Sequence, residues 1–151
     1  RLKVLLNHLK LGKLTYVGIA LNRLFHDKPV QAEITLDGQE IKKFSKVYFA
    51  AAMNQPYEGG GFCFCPDAAG NDGLLDVIVI SGLPRLAVLL LLPTAYKGWH
   101  VHFPGIHVFR CKKAVIKTER PLAVHTDGEP VFLRDQITAE VLEEQIRVIT
   151  A

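Results

Sequence analysis

The apolar positions of this chain change period several times, and each change marks a new element. Leu14, Val17, Gly18, Leu21, Leu24 and Phe25 recur at three- and four-residue steps, which predicts one apolar helical face. A shorter helical piece over residues 2–9 precedes it. From residue 31 the period falls to two: Ala32, Ile34 and Leu36 alternate with Gln31, Glu33 and Thr35, and Asp37-Gly38 follows. That is a half-exposed strand ending in a dipeptide that tolerates the positive φ of a tight hairpin. The runs KVYFAAA (46–52) and, apart from Asp76, LLDVIVI (74–80) are apolar on both faces, which predicts core strands covered on both sides. Between them lie Gly59-Gly60-Gly61, a short strand over residues 62–65 and a polar, turn-forming stretch, PDAAGNDG, over residues 66–73.

Helical spacing returns from Pro84, a residue suited to a first helical turn, to about Lys97, with Gly98 as the stop. Further strands are expected over residues 107–118, 121–126, 130–135 and 137–149, with Asp127-Gly128 as a second sharp turn. Strands mostly follow strands, so the expected fold is mainly β, an antiparallel β-sandwich with inserted helices. No linker or convincing repeat divides the chain, and residues 1–151 read as a single domain.

Composition narrows the picture further. Hydrophobic residues make up 49% and charged residues 22%, which excludes disorder, collagen and coiled coil and leaves a packed domain. The net charge is +3, with basic residues scattered along the chain, so no nucleic-acid partner is expected. Three cysteines cannot pair completely and no secretory leader is visible, which points to the cytoplasm. The longest apolar run, residues 86–92, is far short of the roughly 20 residues a bilayer-spanning helix needs. The chain opens on Arg1 inside an amphipathic pattern and has a single methionine, Met53, so it reads as part of a longer protein.

Candidate chemistry is sparse. Cys63 and Cys65 share one face of a strand; two thiolates are half a zinc site, but with no second pair, buried small apolar residues are the stronger reading. His100, His102 and His107 near Cys111 match no rigid ligand spacing. The triple glycine could cradle a phosphate, but it leads into a strand rather than a helix and no Lys-Ser or Lys-Thr follows. A tight turn at a close backbone approach is the better reading. Asn71-Asp72-Gly73 offers a carboxylate among free carbonyls, enough for Mg²⁺ or Ca²⁺, and is equally an ordinary turn. Asp127-Gly128-Glu129-Pro130 sets two carboxylates at a hairpin tip, a place for a base or simply an acidic turn.

The string YEGGGFCFCPDAAGNDGLLD over residues 57–76 resembles the signature of the C-terminal domain of the diacylglycerol kinase-like lipid kinase family, which includes bacterial lipid kinases and sphingosine kinases. Several separated motifs occur in the family's order. They are Asn54-x-x-Tyr57 with the three glycines, Asp72-Gly73-Leu74-Leu75-Asp76, a helix, and the late Asp127-Gly128-Glu129. The resemblance extends from about residue 11 to residue 148.

It implies a two-domain kinase whose N-terminal nucleotide-binding domain, with its Gly-Gly-Asp-Gly-Thr motif, is absent from these 151 residues. ATP would then be held mainly by that other half, and this chain would supply one wall of the cleft where ATP and lipid meet. The resemblance also assigns Asp72 to a structural Mg²⁺, completed by carbonyls around Ala69 and Leu74. Many relatives carry an acidic residue where this chain has Asn71, which weakens the field on such an ion. Glu129 corresponds to the group that accepts the proton of the lipid hydroxyl, and Asp127 to the one that orients the loop or a metal-bound water. Phosphoryl transfer depends mostly on positioning and charge stabilisation, so a carboxylate near the nucleophile and Mg²⁺ on the phosphates suffice.

The implied partners are a lipid with a free hydroxyl and a membrane surface touched peripherally, and a homo-oligomer is compatible with the family. Pro84 to Lys97 with Trp99 and Phe103 offers aromatic and basic groups suited to a lipid–water boundary, although a core helix with a half-buried Trp is the stronger reading. A catalytically silent lipid-binding module of the same fold is the alternative function. A nicotinamide dinucleotide kinase relative is disfavoured by the Asp-Gly-Leu-Leu-Asp block and the Asp-Gly-Glu turn.

Overall fold

The computed structural model describes residues 26–142 apart from Gly59 and Gly128. The two helices expected over residues 2–9 and 14–25, and the end of the strand expected to reach residue 149, lie outside the described residues. Within them the fold is mainly β, as expected. The strands are β1 (Val30–Leu36), β2 (Glu40–Met53), β3 (Tyr57–Glu58), β4 (Phe62–Cys63), β5 (Leu75–Ser81), β6 (Ile106–Cys111), β7 (Lys113–Thr126) and β8 (Glu129–Glu140). Six form one antiparallel sheet in the order β6-β5-β2-β1-β7-β8, and β3 and β4 pair as a separate small hairpin.

The large sheet closes over on itself, and the chain path requires it. β6 and β7 are four places apart in strand order, yet Lys112 alone separates Cys111 from Lys113. On a flat sheet four strand spacings span roughly 19 Å, whereas a one-residue link reaches at most about 7 Å. The β6-β5-β2 part therefore lies over the β1-β7-β8 part. One core fills the space between: Val30, Ile34 and Leu36 of β1, Val77 and Val79 of β5, Cys111 of β6, and Ala114 and Ile116 of β7. The sequence pattern marks this core in the alternation of β1, whose even positions are buried.

β5 is buried on both faces. Val77 and Val79 face the core between the layers, while Ile78 faces a second cluster with Met53, Cys65, Ala68 and Ile106. Fully burying an aliphatic side chain contributes about 2 kcal/mol, so a strand held on both sides makes a rigid mount for what projects from its ends.

Several expected boundaries shift, each for a local reason. The strand expected over residues 107–118 breaks at Lys112, where the chain turns from one layer to the other. The gap expected between residues 118 and 121 is instead a bulge inside β7, with the register shift falling between Lys117 and Leu122. Pro121, which has no N–H to give a ladder, sits inside it. The helical stretch from Pro84 to Lys97 is an α-helix, α1 (Arg85–Leu91), that tightens into a 3-10 helix over Leu92–Lys97. Pro93 removes an i→i−4 donor at that change. Gly98, at φ 70°, ends it as expected.

Candidate functional site

The acidic loop between β4 and β5 is built on local backbone bonds. Ala68 N–H donates to Cys65 O at 3.0 Å and Asp72 N–H to Ala69 O at 3.3 Å. Leu74 N–H donates to Asp72 Oδ1 at 2.9 Å, an Asx turn that holds the carboxylate over its own loop. A Cβ on Gly70 would run into the Gln55 side chain, so the loop lies against the turn that contains Asn54.

The other oxygen of Asp72 meets a residue that sequence reasoning missed. Arg110 Nη2 donates to Asp72 Oδ2 at 2.7 Å and to Asp67 O at 3.1 Å, and its Nε lies 3.3 Å from Asp76 Oδ1. Arg110 reaches these groups because β5 and β6 pair with Asp76 opposite Arg110. Nothing local in the sequence announces that pairing.

Asp76 is 1% exposed, and its Oδ2 has no hydrogen-bond partner in the structure. Burial pushes its carboxyl up from the usual carboxylate range, against the pull of Arg110, and the nearby Asp72 and Asp67 push the same way. Two carboxylates, those of Asp72 and Asp76, and the Asp67 carbonyl thus share one guanidinium. The Asp72 carboxylate and the Ala69 and Leu74 carbonyls are hard oxygen donors of the kind a small divalent cation takes, while the Asp72 oxygens are already engaged by Leu74 N–H and Arg110. Among the described residues no three His, Cys, Asp or Glu side chains converge as a metal cluster, so such an ion would depend on carbonyls.

Asp127 and Glu129 sit at the other candidate place, the tip joining β7 to β8. Thr126 pairs with Glu129, and Asp127 takes φ 47° to make the turn. Both side chains are exposed, and neither has a hydrogen bond or ion pair among the described residues. Beside them is a contact that the sequence did not reveal: His125 Nε2 lies 3.4 Å from Glu58 Oε1. That contact seats the glycine-rich β3–β4 hairpin against the β7–β8 tip. No ion pair or hydrogen bond among the described residues joins Asp72 directly to Asp127 or Glu129. The hairpin is the link, with Glu58 toward the tip and Cys65, whose N–H donates to Pro56 O at 3.3 Å, leading into the acidic loop.

The remaining candidates fall into the packing. Cys63, Cys65 and Cys111 are buried and free, and burial pushes the Cys65 thiol up to about 12, so these are small apolar residues rather than ligands. His100 is buried with Nε2 3.1 Å from Phe64 O, while His107 on β6 lies parallel to the Phe109 ring and tilted against Phe44 of β2. The histidines do not share a site. Gly60 and Gly61, at φ 73° and 96°, turn the chain between β3 and β4, in agreement with the tight-turn reading. A groove of about 90 Å³ lies where β2 and β7 run on beyond β1, lined by Phe49, Ala50, Leu122 and Val124 among others.

Residues 3–150 match the family model described as the YegS C-terminal NAD kinase beta sandwich-like domain. The chain is 32% identical over 119 residues to a diacylglycerol kinase of Mycobacterium tuberculosis (strain ATCC 25618 / H37Rv), covering 78% of this chain and 38% of that protein. It is 30% identical over 139 residues to a probable lipid kinase YegS-like of Stenotrophomonas maltophilia (strain K279a), covering 91% and 44%. Two solved structures from Bacillus anthracis str. Sterne share the fold. One has a TM-score of 0.65 at 23% identity, covering 82% of this chain and 39% of that one. The other, named as a diacylglycerol kinase, has a TM-score of 0.56 at 19% identity, covering 80% and 42%. The chain spans less than half the length of these relatives.

Proposed function

This chain belongs to the family of YegS C-terminal NAD kinase β-sandwich-like domains, and on that premise we propose that it is the C-terminal part of an ATP-dependent lipid kinase. The reaction moves the γ-phosphate of ATP to the free hydroxyl of diacylglycerol or a similar lipid. The observation that carries the reading is the family match over nearly the whole chain, with curated relatives named as lipid and diacylglycerol kinases. The exposed carboxylates at the β7–β8 tip supply the group this chemistry needs.

A lipid hydroxyl is a weak nucleophile. Glu129 accepts its proton as the new oxygen–phosphorus bond forms and the bond to the ADP leaving group breaks. Asp127 orients the tip. The β7–β8 pairing on one side and the Glu58–His125 contact on the other hold that tip in place, so the base is presented from paired strands rather than a loose loop. Mg²⁺ bound by Asp72 with the Ala69 and Leu74 carbonyls would neutralise the acidic loop and brace it. ATP is assigned mainly to a nucleotide-binding domain outside this chain. No described helix is long and apolar enough to cross a membrane, and the proposed setting is cytoplasmic, with the lipid met at a membrane surface.

A panel of hydroxylated lipids incubated with labelled ATP tests the reading. Transfer to at least one lipid is expected from the full-length protein and none from the 151-residue chain alone. A full-length protein that binds lipid without phosphorylating any would make this a silent lipid-binding module. Robust transfer by the chain alone would overturn the two-domain assignment.

A further inference from the structure

Residues 82–105 leave the sheet at the end of β5 and return at the start of β6. The excursion is clasped at its base by Ser81 N–H donating to Gly105 O at 2.9 Å, and Gly105 takes φ 87° there. Its inner side is firmly seated. Val88, Ala95 and His100 are buried, Tyr96 stacks on Phe62 of β4 at 4.4 Å between centroids, and Gly98 lies so close to Pro66 that a Cβ there would touch its ring.

The outer side departs from an ordinary protein surface. A surface helix normally turns its polar residues outward, yet α1 turns out Leu86 and Leu90, 66% and 69% exposed and four residues apart on one face. The same excursion exposes Trp99 at 57% and Phe103 at 43%. Lys97 Nζ stands 4.7 Å over the Trp99 ring, a cation held against an amphipathic aromatic.

Within residues 82–105 the charged side chains are those of Arg85 and Lys97, and no Asp or Glu occurs anywhere between Asp76 and Glu119. A second stretch without acids, residues 1–25 with Arg1, Lys3, Lys10, Lys13 and Arg23, lies outside the described residues. The other exposed apolar pair, Phe132 and Leu133 on β8, has Glu129 and Asp135 close by, so it lacks this bias. Apolar side chains that point to solvent, an aromatic–lysine pair and a segment that carries bases and no acids together match one kind of partner, a bilayer surface bearing anionic headgroups.

We propose that the outer face of residues 82–105, with Leu86, Leu90, Trp99 and Phe103 entering the acyl boundary and Lys97 meeting headgroup phosphates, is the surface by which this domain docks on an anionic membrane. The proposal deepens the lipid-kinase reading by giving that enzyme its membrane contact. It is tested without catalysis, so the two can fail separately.

Trp99 is the chain's single tryptophan, and its intrinsic emission therefore reports this face directly. Phosphatidylcholine vesicles containing phosphatidylserine should shift the emission to the blue and carry the chain in flotation, with both effects weakening as salt rises. Phosphatidylcholine alone should do much less. The double variant Leu86→Asn, Leu90→Asn should lose binding more than tenfold while keeping the parent's melting temperature, because both side chains already face solvent. Lys97→Gln should weaken binding about fivefold. An unchanged Trp99 spectrum with anionic vesicles, or flotation that the double variant retains, overturns the proposal. So does a blue shift that grows with protein concentration in the absence of vesicles, because a second copy of the chain would then cover the face.

Discussion

Two hairpin tips in this molecule use the same dipeptide, and the surrounding structure gives them opposite fates. Asp37-Gly38 and Asp127-Gly128 both place aspartate in the left-handed region, at φ 50° and 47°. At the first tip the layers cross: Asp37 Oδ1 accepts the N–H groups of Lys112 and Lys113 at 2.8 and 2.9 Å, and Asp37 N–H donates to Lys113 O at 2.8 Å. That carboxylate is consumed in holding the one-residue link from β6 to β7. At the second tip neither Asp127 nor Glu129 has a hydrogen bond or ion pair among the described residues, and both are exposed. A turn motif therefore settles where the chain reverses, and the backbone donors within reach decide whether its acid is structural or available for chemistry.

The sharpest way to break this contrast is Glu129→Gln in the full-length protein. Turnover should fall roughly a hundredfold or more with ATP affinity and folding little changed, because shape and polarity remain while the base is gone. Near-normal turnover at saturating lipid would reduce this tip to a plain hairpin. Asp37→Ala should do the reverse. It removes two charge-assisted bonds to backbone amides, so denaturant unfolding should show a loss of about 2 kcal/mol, whereas Asp127→Asn should stay within about 0.5 kcal/mol. If Asp127→Asn proves as costly as Asp37→Ala, the second tip is structural too.

The third Asp-Gly turn, Asp72-Gly73, lies between these extremes and can be placed by two smaller effects. The buried Asp76 carboxyl beside it has its pKa raised in the folded state, so the folded protein holds that proton when the unfolded chain has lost it. Stability should then fall as pH rises from the ordinary carboxylate range through the raised value. Asp76→Asn should flatten that slope in urea melts taken across the acid range; an unaltered slope would mean that Asp76 contributes nothing to it. The smallest expected effect is at Asp72 itself. If its carboxylate helps to hold Mg²⁺, the ion raises the melting temperature by mass action and Asp72→Ala abolishes the rise. Equal melting temperatures for variant and parent across a Mg²⁺ titration would leave Arg110 as the carboxylate's counter-ion among the described residues.

Much of the fold was legible because its signals are local. The alternation of Ala32, Ile34 and Leu36, the two-sided apolar run of β5, the helix opening after Pro84 and the stop at Gly98 each follow from a few neighbouring residues. The bulge at Pro121 and the break at Lys112 are not legible locally, because both depend on which strand lies alongside. The site was legible as motifs only. Asp72, Asp127 and Glu129 stood out as acids at turns, whereas Arg110, the burial of Asp76 and the Glu58–His125 contact stayed hidden.

The sequence by itself determined the periods, the turns and the family resemblance, and with them a mainly β fold, because side-chain alternation and positive-φ dipeptides act within a few residues. Only the tertiary structure decided which acids are free. A carboxylate's role depends on the donors and charges within a few ångströms of it. In a sheet that folds over on itself those neighbours come from far along the chain: Lys112 for Asp37, Arg110 for Asp72 and Asp76, and His125 for Glu58.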